Sequence, residues 1–170
     1  THLVTGGKQS SLNGVYKLVA KMDTDNNYIP TMKVSNTLVK TTDPGIKQVY
    51  RFYGSEGNAL ADLITLYDET IVPGKNYTFL HPFSETDIFL LHSDEYAEIK
   101  PLLKLIIKDG KRIVTSPTLE KIQKNVQIEL KTLHKSYKRL INPHVYKVSL
   151  SPGLKAIKNS LISKFRYRKE

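Results

Sequence analysis

Gly6-Gly7-Lys8 follows the apolar pair Leu3-Val4. Glycines let successive backbone N–H groups close on an anion, and the lysine adds a point charge, so this run can hold a phosphate. Alone the run is a weak signal, and a plain turn is its ordinary reading. Lys17 lies among apolar neighbours in Val15–Met22, and Lys33 likewise in Thr31–Ser35. A cation on an otherwise apolar strand faces either a site for an anion or the watered side of a half-buried sheet. The histidines, at 2, 81, 92, 134 and 144, form no HExxH motif and no i, i+4 pair, so no metal site is expected from them. There is no GxSxG elbow, no P-loop and no cysteine. Disulfides, cysteine-ligated zinc and a cysteine nucleophile are therefore excluded.

Strands must carry those lysines. Val15–Met22 alternates loosely, Asp23–Asn27 is a turn cluster, and Thr31–Ser35 reads as a second strand. Asp43-Pro44-Gly45 predicts a tight turn, because proline presets φ and glycine tolerates a positive one. Strands follow at Lys47–Tyr53, Ala61–Tyr67, Tyr77–Leu80 and Ile88–His92, with turns at Gly54–Asn58 and Pro73-Gly74. That spacing predicts hairpins or a meander, not crossovers. Beyond residue 95 the pattern is helical. Glu95–Lys108 has apolar residues at 99, 102, 103, 106 and 107. A long helix is predicted from Ser116-Pro117 through Leu140, then a strand at Tyr146–Leu150 and a last helix from Ser151-Pro152. The fold class read from this is α/β, a mixed α+β piece, in three segments: 1–60, a β-hairpin region 61–95, and a basic helical region 96–170.

The 170 residues carry a net +10, placed unevenly. Residues 1–95 hold 8 Lys+Arg against 11 Asp+Glu, while residues 96–170 hold 18 against 5, or +13. A basic half suits a standalone module binding nucleic acid or an acidic protein. It also suits a solvated helical face, since 14 of those 18 cations are lysine. An RNA-binding aromatic motif is missing, which argues against nucleic acid. The apolar runs are too short for a membrane-spanning helix, and no signal peptide is legible. The chain opens at Thr1 in mid-pattern and reads as a piece of a longer or processed protein.

Longer runs carry a resemblance. Thr1-His2-Leu3-Val4-Thr5, then Gln9, Leu12, Gly14 and Val15-Tyr16-Lys17-Leu18-Val19, are similar to the G-x-G-T-x-L-V-T and Q-x-S/A-L-G-x-V-Y-K-L-V segments of nicotinate phosphoribosyltransferases. Pro30-Thr31-Met32-Lys33-Val34-Ser35 resembles that family's P-x-M/I-K-L-S. Lys40-Thr41-Thr42-Asp43-Pro44-Gly45-Ile46-Lys47-Gln48-Val49-Tyr50-Arg51 resembles its K-x-T-x-P-G-x-K-x-V-x-R. The last helices, from Ser116-Pro117-Thr118-Leu119 and from Val148-Ser149-Leu150-Ser151 to Leu161-Ile162, look like the C-terminal portion of animal-type members.

The resemblance implies an irregular type II phosphoribosyltransferase α/β barrel with a flanking sandwich domain. Residues 1–60 would supply closing strands of the barrel and part of the flanking domain. It implies a transferase, also classed as a ligase, in NAD biosynthesis. Nicotinate and phosphoribosyl pyrophosphate would give nicotinate mononucleotide and pyrophosphate, driven by ATP with Mg²⁺ through a phosphohistidine. A cytoplasmic homodimer is implied, with no membrane or nucleic-acid partner. Thr1 matches the threonine of the loop that holds phosphoribosyl pyrophosphate, although the two glycines preceding it in the family are not in this sequence. Lys17 and Lys33 match strand lysines facing pyrophosphate, a task that suits a compact ammonium. Gly6, Gly7 and Lys8 lie near the end of that loop. The phosphorylated histidine, the residues clamping nicotinate and the barrel aspartate have no counterpart here, and none of the five histidines matches the first. No catalytic residue is therefore assigned, and the chain alone is expected to be inactive without the remaining N-terminal barrel.

Overall fold

Turn chemistry decides where each strand stops. In the computed structural model, which describes residues 14, 16–35, 37 and 40–166, Gly45, Gly57 and Gly74 all hold φ between +74° and +82°. These are the turns that the glycines announce. Gly45 has a second reason to be glycine: a Cβ there would sit 2.9 Å from Leu66 Cδ2.

Among the described residues, ten strands and two helices follow in chain order. β1 (Ala20–Met22) pairs antiparallel with β2 (Tyr28–Pro30) as a separate ribbon. β3 (Lys47–Tyr53) and β4 (Ala59–Leu66) form the long central hairpin. Next come β5 (Tyr77–Leu80), β6 (Ile88–Leu91), β7 (Glu98–Pro101) and a small hairpin of β8 (Ile107–Lys108) and β9 (Lys111–Arg112). Helix α1 (Leu119–Thr132), a 3-10 turn (Lys135–Lys138), β10 (Lys147–Leu150) and helix α2 (Pro152–Arg166) complete the order. The main sheet runs β6-β5-β10-β4-β3-β7 and takes strands from all three sequence segments.

Alternation along β3 and β4 splits the sheet into two faces. One carries the core: Phe52, Ala61, Leu63, Phe79 and Leu91, with Tyr96. Phe52 is wholly buried and meets Tyr77, Phe79 and Tyr96 edge-on at 5.1–5.3 Å between centroids. Tyr96 and Tyr77 keep their hydroxyls satisfied on the carbonyls of Lys75 (2.8 Å) and Val72 (2.7 Å), as half-apolar rings require. The other face carries Arg51 and Asp62. Helix α2 packs on β4 and β5 through the fully buried Leu154. It starts where Ser151-Pro152 predicts. Ser151 Oγ accepts from Leu154 N (3.2 Å) and donates to Glu69 Oε1 (2.6 Å).

Several expectations are corrected. Glu95–Lys108 is not a helix; its centre is the edge strand β7, paired along β3 from Tyr53↔Glu98 to Tyr50↔Pro101. Pro101 could not donate within a helix but is tolerated on a sheet edge. The open side of β3 supplies the hydrogen bonds that favour strand: Ala97 N to Tyr53 O and Leu102 N to Val49 O, both 2.8 Å. Thr31–Ser35 is not a ladder strand, which lies instead at Tyr28–Pro30. Of Val15–Met22 only Ala20–Met22 pairs, Val15 lying outside the described residues. The long helix begins at the cap Thr118, not at Ser116-Pro117, and stops at Thr132, well short of Leu140. The meander is broken as well, because β10 inserts between β4 and β5, parallel to β4.

Two substitutions should separate core from surface. Phe52→Ala is expected to lower stability to urea by about 3–5 kcal/mol. Leu119→Ala, at a side chain that is 73% exposed, should stay within about 0.5 kcal/mol. Unfolding curves with unchanged slope would confirm that both report on the same cooperative unit.

Candidate functional site

Of the residues proposed to meet phosphate, the structure describes Lys17 and Lys33. Thr1, Gly6, Gly7 and Lys8 lie outside the described residues. Lys17 stands just before β1 and Lys33 just after β2, both exposed. The ribbon pairs Ala20 with Pro30 and Lys21 with Ile29. The same register, continued by three pairs, would set Lys17 opposite Lys33.

The backbone departs from that register within one pair. Thr31 N still donates to Val19 O (2.8 Å), but Val19 O also accepts from Gly45 N (2.7 Å). Lys33 then turns to Thr42: its N–H donates to Thr42 Oγ1 (3.0 Å), and its carbonyl accepts from Thr42 N (3.3 Å). The Asp43-Pro44-Gly45 turn therefore positions both lysine-bearing arms.

That turn is itself gripped by two ammonium groups. Lys47 Nζ donates to the carbonyls of Asp43 (2.8 Å) and Gly45 (2.6 Å). Its half-buried position lowers its pKa by desolvation, opposed in part by the Asp43 charge. Lys158 Nζ, 3% exposed as a residue, reaches Asp43 Oδ1 at 2.6 Å and Pro82 O at 3.1 Å. Lys155, one helical turn earlier, donates to His81 O (3.0 Å) and Ser84 O (3.2 Å) and meets Glu85 at 3.1 Å. Two lysines that read as a solvated basic helix face are thus internal fasteners. The available signal was their i, i+3 spacing among Leu154, Ile157 and Leu161.

A second polar cluster went unread in the sequence. Arg51 on β3 sits opposite Asp62 on β4 and grips it with two bonds, Nε–Oδ1 at 2.8 Å and Nη2–Oδ2 at 2.9 Å. Arg51 Nη1 reaches Glu129 of α1 at 3.1 Å, and Tyr146 Oη donates to Asp62 Oδ1 at 3.0 Å. Hydrogen bonding to Asp62 raises the guanidinium pKa further. Burial, then the Asp62 charge, raises that of the Tyr146 hydroxyl. Both groups keep their protons at neutral pH, so the cluster holds and donates but does not shuttle protons. It floors a cleft of about 490 Å³, walled by Ile122, Val126 and Leu130 of α1. The sequence signal was a charge set among apolar and aromatic neighbours in each strand, Arg51 within Val49–Tyr53 and Asp62 within Ala59–Ile64. Among the described residues no three His, Cys, Asp or Glu side chains gather to hold a metal ion.

Residues 46–158 match the family model described as Nicotinate phosphoribosyltransferase C-terminal domain. The nicotinate phosphoribosyltransferase of Caenorhabditis elegans is 40% identical over 157 residues, 91% of this chain and 26% of that protein. That of Bacillus subtilis is 38% identical over 152 residues, 89% and 30% respectively. That of Homo sapiens is 33% identical over 161 residues, 95% and 28%. The crystal structure of human nicotinic acid phosphoribosyltransferase superposes with a TM-score of 0.63 at 30% identity, over 71% of this chain and 24% of that one. The chain thus spans between about a quarter and a third of the length of these relatives.

Two measurements test the Arg51 cluster. Asp62→Ala strands a guanidinium and a phenol and should cost about 3–5 kcal/mol in urea unfolding. Tyr146 carries a raised pKa in the folded state. The unfolded chain therefore releases that proton first, near pH ~10, and stability falls as pH rises beyond it. Tyr146→Phe should make that alkaline decline shallower while costing about 1 kcal/mol near pH 7.

Proposed function

This chain belongs to the nicotinate phosphoribosyltransferase family, and from that membership we propose that it is the C-terminal part of an enzyme joining nicotinate to phosphoribosyl pyrophosphate. The products are nicotinate mononucleotide and pyrophosphate, a step of NAD biosynthesis. The match of residues 46–158 to the family's C-terminal domain is the observation that carries this reading.

The reaction separates charge. As pyrophosphate leaves C1 of the ribose, the sugar becomes oxocarbenium-like and the leaving group gains negative charge. Fixed cations that meet that growing charge lower the barrier more than they tighten substrate binding. Lys17 and Lys33, with Thr1 and the Gly6-Gly7 run, are proposed to receive the phosphates. The support is their motif match, their exposure, and the backbone bonds that anchor both arms at Val19 and Thr42. The segment bearing Lys33 is held from below by Lys47 and Lys158 through the Asp43 turn. This steadies a cation that must be in place before the charge develops.

ATP hydrolysis with Mg²⁺ is proposed to drive the whole enzyme through a phosphohistidine. Among the described residues no three His, Cys, Asp or Glu side chains gather for the metal, and the rest of the polypeptide is proposed to hold it. The rest of the polypeptide would supply the nicotinate clamp and the phosphorylated histidine. The working form would be a cytoplasmic homodimer whose barrel includes the strands of residues 1–60, and this chain alone would be inactive.

The full-length enzyme should turn over nicotinate, phosphoribosyl pyrophosphate and ATP, with nicotinate mononucleotide measured by chromatography. Lys17→Ala and Lys33→Ala should each lower kcat/KM for phosphoribosyl pyrophosphate by about tenfold or more, a loss of about 1.4 kcal/mol. The KM for nicotinate should barely move. Wild-type kinetics in both variants would remove these lysines from the site, and no turnover by the full-length protein would remove the activity itself.

A further inference from the structure

The backbone of Lys33 leans on one turn. The β1–β2 ladder ends at Pro30, three residues short of it. The Lys33 N–H donates to Thr42 Oγ1 (3.0 Å), and its carbonyl accepts from Thr42 N (3.3 Å). Two residues on, Ser35 N donates to Thr41 Oγ1 at 3.4 Å. Thr41, Pro44 and Gly45 are buried, so the turn is seated in the body of the protein while Lys33 is exposed. A shift of Thr42 carries the Lys33 ammonium with it.

The last helix holds that turn by a side chain. Lys158 of α2 meets Asp43 at 2.6 Å, the two side chains being 4% and 25% exposed. Its remaining contacts are the Pro82 carbonyl at 3.1 Å and the Phe83 ring, 5.1 Å from Nζ to centroid. Lys47 grips the turn only through backbone carbonyls. Among the described residues, Lys158 to Asp43 is therefore the one ion pair between α2 and the turn. Burying an ammonium is costly, and an apolar side chain of similar length could fill the same space. Lys155, one helical turn earlier, supplies the contrast. It is 6% exposed against 3% for Lys158. Its donors go to His81, Ser84 and Glu85, none of them in the turn.

We propose that Lys158, acting through Asp43, is a positioning residue for Lys33. Its own ammonium is spent on protein oxygens. The ion pair fixes the turn, the turn fixes the backbone of Lys33, and a cation then stands in place before charge develops. This role rests on the reading of Lys33 as a phosphate-facing cation.

The test is steady-state kinetics of the full-length enzyme with nicotinate, phosphoribosyl pyrophosphate and ATP. Lys158→Met should lower kcat/KM for phosphoribosyl pyrophosphate about tenfold, with the KM for nicotinate kept within about twofold. Lys155→Met removes an equally buried ammonium from the same helix and should stay within about threefold of wild type. Asp43→Asn leaves Lys158 an acceptor but no counter-charge, and should lower the same parameter about threefold or more even if Lys158→Met fails to fold. In a Lys33→Ala background, Lys158→Met should cost less than about twofold more, because the group it positions is gone. Equal kinetics of Lys158→Met and Lys155→Met would overturn the proposal and leave the reaction in place. So would losses from Lys158→Met and Lys33→Ala that multiply, or wild-type kinetics in Asp43→Asn. Wild-type kinetics in Lys33→Ala would overturn the reading beneath it, and the proposal with it.

Discussion

Four residues, Lys147–Leu150, enter the sheet between two strands whose paired residues lie 86 and 70 positions earlier in the chain. The arrangement of everything C-terminal depends on that insertion. β10 lies parallel to β4 over the pairs from Lys147↔Ala61 to Leu150↔Ile64. A parallel neighbour cannot be reached by a tight hairpin, so the chain must leave the sheet and return. The chain first adds β5, β6 and β7 to the same sheet; the excursion off it, between β7 and β10, contains the small β8–β9 hairpin and α1. Once β10 is seated, Ser151 caps the next helix while bonding Glu69, and α2 is laid across β4 and β5.

Charged groups then fasten what the strand has brought together. Desolvating an ammonium is costly, and a buried ion pair seldom stabilises more than apolar residues of the same shape would. Lys155 and Lys158 nonetheless spend their donors on backbone carbonyls of the 81–84 segment as well as on carboxylates. What they gain is location. Backbone segments that have no ladder partner are held in one conformation, including the turn that positions Lys33. Arg51 does the same on the sheet face, tying β3, β4 and α1 through Asp62 and Glu129. That ion pair matters the more because no residue of α1 is buried. The helix displays its apolar stripe on a cleft and not inside a core.

Local signals gave much of the fold correctly. Lys47–Tyr53 and Tyr77–Leu80 are strands to the residue, because alternation and flanking turns coincide there. The helix at Pro152 starts where serine and proline say it must. The helix expected at Glu95–Lys108 fails for a non-local reason. Apolar residues at 99, 102, 103, 106 and 107 fit a helical period, but the open edge of β3 offers hydrogen bonds that a helix interrupted by Pro101 cannot match. Likewise the helix from Leu119 ends at Thr132 although the apolar period continues. The chain there turns toward Tyr137 and Tyr146, whose rings meet at 5.4 Å.

The order of residues by itself determined the turns, the central hairpin, the capped last helix and, through the motifs of residues 1–51, the family. Each rests on chemistry within a few positions: a glycine that can hold positive φ, a proline without an N–H, a run of residue types in fixed spacing. Tertiary structure alone decided that β10 runs between β4 and β5, that Lys155 and Lys158 face inward, and that Arg51 meets Asp62 and Tyr146. Those outcomes join residues up to 115 positions apart. Which of many possible partners a buried charge or an unpaired strand edge finds is settled only when the whole sheet has assembled.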